Sequence, residues 1–380
     1  MPVRRLAAPF AFYAVSLERM ADLRGAVIGY GLAGSVFHAP LIASTPGLTV
    51  GTVVTGNPQR QAEARQAHPD AQVVPDAAEV FERGPDHDFV VVAAPNNVHV
   101  ELTRRALDAG LPAVVDKPLA PTAAEARSLV EQAEGLGVLI TPYMNRRWDS
   151  DQLTLRHLLD ERKLGEVLRY ESRLERWQPA LSGRKPWREV SPPEAGGGVL
   201  LDLGSHLVDQ AIVLFGAVVR VFAELESRRG GVADDDAFLA LEHSSGARSH
   251  LLASLVAAAP GPRLRVLGDR AAYVVTEVDG QEDALRSGAS PSDDEDWGVE
   301  PSERWGRLIT GERSEAIVSE RGDWPRFYIE FERALRHGSP PPVNPWDAVA
   351  GLEVLDAARR SAATAEVVAI SHPSERLSDG

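Results

Sequence analysis

Short apolar runs separated by amphipathic stretches occupy the first part of the chain. Residues 25–28, 48–55, 71–74, 88–94, 112–115 and 138–141 are largely apolar and do not alternate with polar positions. That is the pattern of strands buried on both faces of a parallel sheet. Helices are predicted between most of them, at 59–66, 75–82, 99–109 and 123–134. Such alternation predicts an α/β unit over residues 23–142. Beyond it the pattern changes. Strand-like segments at 167–175, 217–226, 238–243, 247–256 and 264–267 follow one another without regular helices, which predicts a mostly antiparallel sheet in a second unit over 143–380. An amphipathic helix is predicted after the glycine run at 196–198, and two more around 324–335 and 347–363. The acidic stretch 280–307 reads as a surface excursion, and the last seven residues as frayed.

The turn after the first strand carries the first chemical signal. Gly29-Tyr30-Gly31-Leu32-Ala33-Gly34 has G-x-G-x-x-G spacing between a predicted strand and a predicted helix. Gly29 permits a tight turn, Gly31 lets a pyrophosphate approach the backbone, and Gly34 lets the helix pack close to the strand. The helix start adds free N–H groups and partial positive charge. The plainer alternative is a glycine-rich connection that binds nothing. Dinucleotide folds usually place an acid about 20 residues beyond this fingerprint, yet no Asp or Glu occurs between Gly34 and Glu63. Thr55, Asn57 and Arg60 stand there instead, offering hydroxyl, amide and guanidinium donors suited to a 2′-phosphate. This favours NADP over NAD, against the alternative of Arg60 as a solvated helix residue. After the fourth predicted strand, Pro95 and Asn97 are candidates to border the cofactor, and His99 reads as a helix cap.

Acidic residues outnumber basic ones, 55 to 40, for a formal charge of −15, which argues against a nonspecific nucleic-acid surface. The absence of cysteine excludes disulfides, thiolate metal sites and cysteine nucleophiles. No apolar run approaches the roughly 20 residues of a membrane span. In residues 1–22, Arg4 and Arg5 precede a short apolar stretch broken by Pro9. The segment faintly resembles an export leader, without a small-residue cleavage site. We expect a nonstructural extension and a cytoplasmic protein.

Lys117 follows a predicted strand, and a lysine at the carboxyl end of a strand in an open parallel sheet faces the ligand crevice. Pro118 restricts its backbone. A surface lysine is the plainer alternative. On the helix predicted from about residue 199, Asp202, His206 and Asp209 recur at i, i+4 and i+7 and so share a face. A solvated polar face, a metal site and an acid–base group all fit this pattern. No zinc signature such as H-E-x-x-H matches, and no metal is expected. The acid–base reading is specific: when an alcohol carbon gives up hydride, the hydroxyl proton must leave, and imidazole titrates near neutrality. A carboxylate can orient the ring, and a lysine can stabilise the alkoxide or share the relay. Because Lys117 and His206 come from different halves of the chain, the site is expected in a cleft between domains.

Taken in order, IGYGLAG, SVFHAPLI, APNNVH, DKP, NRRWDSD, GGGVLLDLGSHLVDQ and the later NPWDA resemble the Gfo/Idh/MocA family of NAD(P)-dependent oxidoreductases. The likeness covers nearly all the chain after residue 23. It implies a Rossmann domain followed by a domain on an open, mostly antiparallel sheet that often mediates homodimer or homotetramer contacts. It further implies that Lys117 is catalytic, that Asp202 and His206 stand at the substrate, and that Asp209 is a ligand of a substrate hydroxyl. Asp116 replaces the usual glutamate of the family's E-K-P motif, at a cofactor-ribose contact. SVFHAPLI and NRRWDSD look most like the scyllo-inositol dehydrogenase branch, which favours NADP. Asn145 is expected near the nicotinamide, with Arg147 and Trp187 at the substrate. The function so implied is hydride transfer between NADP, or NAD, and a ring hydroxyl or ketone of a cyclic polyol or sugar. The rival is a non-catalytic nucleotide-binding regulator of the same fold, which needs the glycine turn but neither Lys117 nor His206.

Overall fold

Strands β1 (Leu23–Ile28), β2 (Leu48–Val54), β3 (Gln72–Val74), β4 (Phe89–Val92), β5 (Ala113–Asp116) and β6 (Ile140–Tyr143) form a sheet in the order β3-β2-β1-β4-β5-β6. Every neighbouring pair is parallel. These coordinates are a computed structural model that describes residues 21–82, 86–181 and 191–370. Helices cover both faces of the sheet, which is why β4 is apolar throughout and fully buried. Strand order reverses at β1, between β2 and β4, and a ligand crevice opens at such a switch point. The last strand begins at Ile140, two residues later than the apolar pattern suggests. The preceding helix ends on left-handed Gly137, and Val138 N still donates to Ala133 O (3.0 Å), so the turn consumes the start of the apolar run.

The second sheet contains β7 (Val167–Glu175), β8 (Val218–Glu226), β9 (Asp236–His243), β10 (Arg248–Ser254), β11 (Leu264–Gly268), β12 (Ala272–Val275), β13 (Arg307–Thr310), β14 (Arg313–Ala316) and β15 (Val368–Ala369). Their order is β14-β13-β12-β11-β7-β10-β9-β8-β15. All pairs are antiparallel except β7 with β10. One face is covered. In β9, Ala237, Leu239, Leu241 and His243 are buried, while Asp236, Phe238, Ala240 and Glu242 are half-buried. Helix Pro345–Thr364 lies on the covered face, where Ala223 N of β8 donates to Ser361 Oγ (3.0 Å).

Two segments differ from the pattern-based picture. The acidic stretch 280–307 is anchored rather than a surface excursion. Gln281 is buried, its carbonyl oxygen accepts from Trp297 Nε1 (3.0 Å) and Trp324 N (2.8 Å), and its amide donates to Trp148 O (3.2 Å). Single anchoring side chains leave no periodic trace, so the surrounding acids dominate the pattern. The closing helix Pro325–His337 packs back onto the first sheet, with Phe331 edge-on to Phe89 at 5.2 Å. Among the described residues, no helix is long and apolar enough to cross a membrane.

Candidate active site

The glycine turn is drawn tight at both ends and open in the middle. Gly29 has φ +100°, and a Cβ there would stand 2.6 Å from Ala93 O. A Cβ on Gly34 would stand 2.0 Å from Gly29 O, which only glycine avoids. At Gly31 the nearest atom to such a Cβ is Arg60 Nη1, 3.8 Å away. This bare stretch of backbone beside a guanidinium fits a dinucleotide phosphate. The segment Ala33–His38 that follows is π-helical, and no side chain caps its start.

The flanking candidates divide by burial. Leu32 is half-buried and lines the cleft. Tyr30 is buried, edge-on to His68 at 6.2 Å, and so packs beneath the turn. Thr55 is buried at the end of β2, and Asn57 caps helix Pro58–Ala67 by accepting from Arg60 N (3.1 Å). Pro95 and Asn97 are exposed beyond β4. Their neighbour Asn96 is buried instead and donates to Gly196 O (3.0 Å), tying the first domain to the glycine run of the second.

Lys117, directly after β5, reaches across the cleft. Its Nζ donates to Asp202 Oδ1 (2.7 Å) and to the Asp202 main-chain oxygen (2.5 Å). Asp202 lies on a π-helical turn, Leu200–Gly204, that leads into helix Ser205–Phe215 carrying His206. Lys117, Asp202, His206, Asp116 and Asn145 all line one cleft with Leu32, Phe37, Arg146 and Trp324. Burial pushes the His206 pKa well down; Lys117 and Arg146 add to this, while the Asp202 charge opposes it. The ring is therefore neutral near pH 7. Burial pushes the Asp116 carboxyl up, but His38, Lys117 and His99 outweigh it and hold it below its ordinary value. Asp116 Oδ1 also accepts from Lys117 N (2.9 Å), fixing the start of the lysine loop.

Asp209 and Arg147 meet each other instead of the cleft. Arg147 Nε and Nη2 donate to Asp209 Oδ2 (2.9 Å) and Oδ1 (2.6 Å), and Nη2 also reaches Asp347 Oδ2 (3.0 Å). Neither lines that cleft; Asp209 lines a small neighbouring pocket with Pro118, Ser205 and Asp347. Two local causes account for it. The wider π turn shifts the helical phase between Asp202 and Asp209. Asn145–Trp148 is a 3-10 turn, in which successive side chains point about 120° apart, and it presents Arg146 rather than Arg147 to the cleft. Trp187 lies outside the described residues.

His99 is not a cap. Val98 holds the cap position, and His99 is buried with its ring nitrogens 2.8 Å from Pro118 O and Ala94 O. The ring thereby clamps the loop after β4 to the loop that carries Lys117. Nothing in its local sequence signals this, because Pro118 stands in a different strand–helix connection.

The site can move a proton. Lys117, held on the Asp202 carboxylate, can stabilise an alkoxide. Neutral His206 can accept the hydroxyl proton. A bound nicotinamide supplies the hydride acceptor or donor. The depressed His206 pKa has a measurable consequence for stability. Below about pH 6.5 the unfolded chain protonates this ring while the folded chain does not, so folding loses stability as pH falls through that value. Wild type should therefore lose stability relative to His206→Gln between pH 7 and 5 in parallel urea titrations. A constant difference across that range would contradict the buried neutral ring.

A parallel sheet opening at its switch point onto a glycine turn, with a lysine and a histidine facing that turn from two domains, defines a nicotinamide-dinucleotide oxidoreductase. The chain belongs to the Gfo/Idh/MocA oxidoreductase family. The family's NAD-binding Rossmann fold matches residues 23–144, and its C-terminal alpha/beta domain matches residues 156–370. Scyllo-inositol 2-dehydrogenase (NADP(+)) IolW of Bacillus subtilis (strain 168) is 32% identical over 360 residues, covering 93% of this chain and 98% of the relative. The uncharacterized oxidoreductase YdgJ of Escherichia coli (strain K12) is 36% identical over 343 residues, covering 90% and 96%. Among solved structures, yvaA from Bacillus subtilis superposes with a TM-score of 0.85 at 31% identity, covering 92% of this chain and 99% of that one.

Proposed function

We propose that this protein is an NADP-dependent dehydrogenase that transfers hydride between the cofactor and a ring hydroxyl or ketone of a cyclic polyol or sugar. The observation that carries the reading is the Lys117 ammonium, held 2.7 Å from Asp202 in the cleft that also contains buried His206. His206 takes the hydroxyl proton, Lys117 stabilises the alkoxide, and Asp202 holds Lys117 in place. Residues 23–142 bind the dinucleotide, and residues 143–380 supply the substrate wall. The similarity to an enzyme whose name specifies scyllo-inositol and NADP(+) supports both substrate class and cofactor. We place the protein in the cytoplasm as a homodimer or homotetramer, assembled through the half-buried face of the second sheet.

The test is an assay at the nicotinamide absorbance band with inositols, aldoses and their oxidised forms. Turnover of ring polyols is expected; NADPH binding without turnover across the panel would favour a regulator. The cofactor preference has its own check. Arg60 is exposed beside the open turn, and a charge-assisted contact to a 2′-phosphate is worth about 1.5–3 kcal/mol. Arg60→Gln should therefore raise the KM for NADPH by roughly ten- to a hundredfold and leave that for NADH almost unchanged. An equal effect on both cofactors would remove Arg60 from 2′-phosphate recognition.

A further inference from the structure

Three arginines stand together on the cleft wall opposite the glycine turn. Arg146, Arg176 and Arg286 converge on one carboxylate, Glu282. Arg286 Nε and Nη2 donate to Glu282 Oε1 (2.9 and 2.7 Å), Arg146 Nη2 donates to Oε2 (2.6 Å), and Arg176 Nη2 stands 3.9 Å from Oε1. Arg146 has a second partner in Asp149 (3.2 Å). Arg176 is the least engaged of the three: its side chain is 45% exposed and, among the described residues, no acid stands closer to it than Glu282.

These three arginines line the chamber with Lys117 and His206, and also a contiguous chamber of about 1000 Å³. The larger chamber is at the top of the range for small-molecule sites, about 300–1,000 Å³. All its lining residues come from position 146 onward, so it lies on the substrate side. Its other arginines are engaged: Arg229 with Asp235 (3.0 Å), Arg263 with Asp151 (3.1 Å) and Arg173 with Glu171 (3.2 Å). Backbone N–H groups orient its inner acids without cancelling their charge, Asp279 accepting from Ser150 and Gln281, Asp234 from Leu200, and Glu175 from Gly261. Glu277 and Asp283 are exposed. Arg176 lines both chambers and so stands at their junction, with Arg286 beside it.

We infer that the substrate carries an anionic substituent, a carboxylate or phosphate, on the side of the ring away from the reacting hydroxyl, and that Arg176 and Arg286 bind it. A guanidinium fork matches either anion with paired N–H donors. Glu282 holds the forks in place before binding. The identity of the reacting hydroxyl rests on the dehydrogenase reading above; the anion site does not.

The test separates the two. NADPH-loaded protein is titrated calorimetrically with matched pairs, myo-inositol against inositol 1-phosphate and D-glucose against D-glucuronate. The charged member of at least one pair should bind on the order of tenfold more tightly, and Arg176→Gln should bring that ratio to about twofold or less. The partly exposed Arg176 can be replaced without burying an unpaired group. Equal binding within both pairs, or a preference that survives both Arg176→Gln and Arg286→Gln, would overturn the inference. Weakened NADPH binding in Arg176→Gln with unchanged pair ratios would also overturn it, by assigning the cation to a cofactor phosphate. Running the same pairs for turnover completes the separation. Anion-selective binding without turnover removes the dehydrogenase reading and leaves the anion site standing. Turnover without selectivity does the reverse.

Discussion

Lys117→Met should lower turnover by about two to four orders of magnitude while NADPH binding and the folded structure persist. Methionine keeps most of the aliphatic length and removes the ammonium that stands 2.7 Å from Asp202 Oδ1. Without that charge, the alkoxide formed as His206 takes the proton loses its cationic partner, while the arginines of the cleft are gathered on Glu282. The loss should fall on kcat, since the interaction strengthens as negative charge develops on the oxygen. The fold should tolerate the change because both partners reach the cleft surface, with side chains 13% and 25% exposed, so water can take over the vacated contacts. Steady-state rates, a fluorescence titration with NADPH and a thermal melt together give the answer. Turnover within a few-fold of wild type would remove Lys117 from the chemistry.

Gly34→Ala attacks the other half of the site and should abolish measurable cofactor affinity. The added Cβ would stand 2.0 Å from Gly29 O and 3.0 Å from Gly29 C, both backbone atoms that cannot rotate away. Relief requires segment Ala33–His38 to move off β1, which pulls the turn open and displaces the N–H groups that face a phosphate. Overpacking of this kind costs about 1–3 kcal/mol of stability. For domains of 150–250 residues that corresponds to a melting point lower by roughly 2–12 °C. The variant should remain folded by circular dichroism, and NADPH should no longer raise its melting temperature. An unchanged NADPH-induced shift would show that the close approach of Gly34 to Gly29 is dispensable. Gly31→Ala separates strain from cofactor approach: the nearest atom to the new Cβ is 3.8 Å away, so the unliganded fold should keep its melting point, while the added methyl should weaken NADPH binding where the pyrophosphate approaches.

How much of this was readable beforehand depends on the distance over which each feature is decided. Gly29, Gly31 and Gly34 are separated by a few residues, and their spacing alone implies a tight turn with an open centre. The placement of Lys117 at a strand end follows from the apolar run at 112–115. The choice between Arg146 and Arg147 was not readable in this way. Both follow β6, and only the 3-10 turn decides which one faces the cleft. The pairing of Asp209 with Arg147 was hidden for a similar reason. Counting at α-helical period aligns Asp209 with Asp202, and the π turn at Leu200–Gly204 breaks that period; the glycine run at 196–198 marks where the helix begins and carries no sign of the change in period. Arg176 and Glu282 stand on separate elements, a strand end and a short helix, inside segments where charge ordinarily means solvent.

The sequence by itself determined the two kinds of sheet, the glycine turn and the lysine that follows β5. Each of these is set by backbone geometry and by which side chains a strand or turn admits, and those constraints act between near neighbours. The tertiary structure alone decided what Lys117 touches, since Asp202 lies 85 residues away. It also decided that His99 clamps two separate loops, that Arg147 closes on Asp209, and that three arginines gather on Glu282. Such contacts join segments far apart in sequence, and among these only Lys117 with Asp202 crosses from the first domain to the second; their free energy depends on burial and charge that the folded chain brings together.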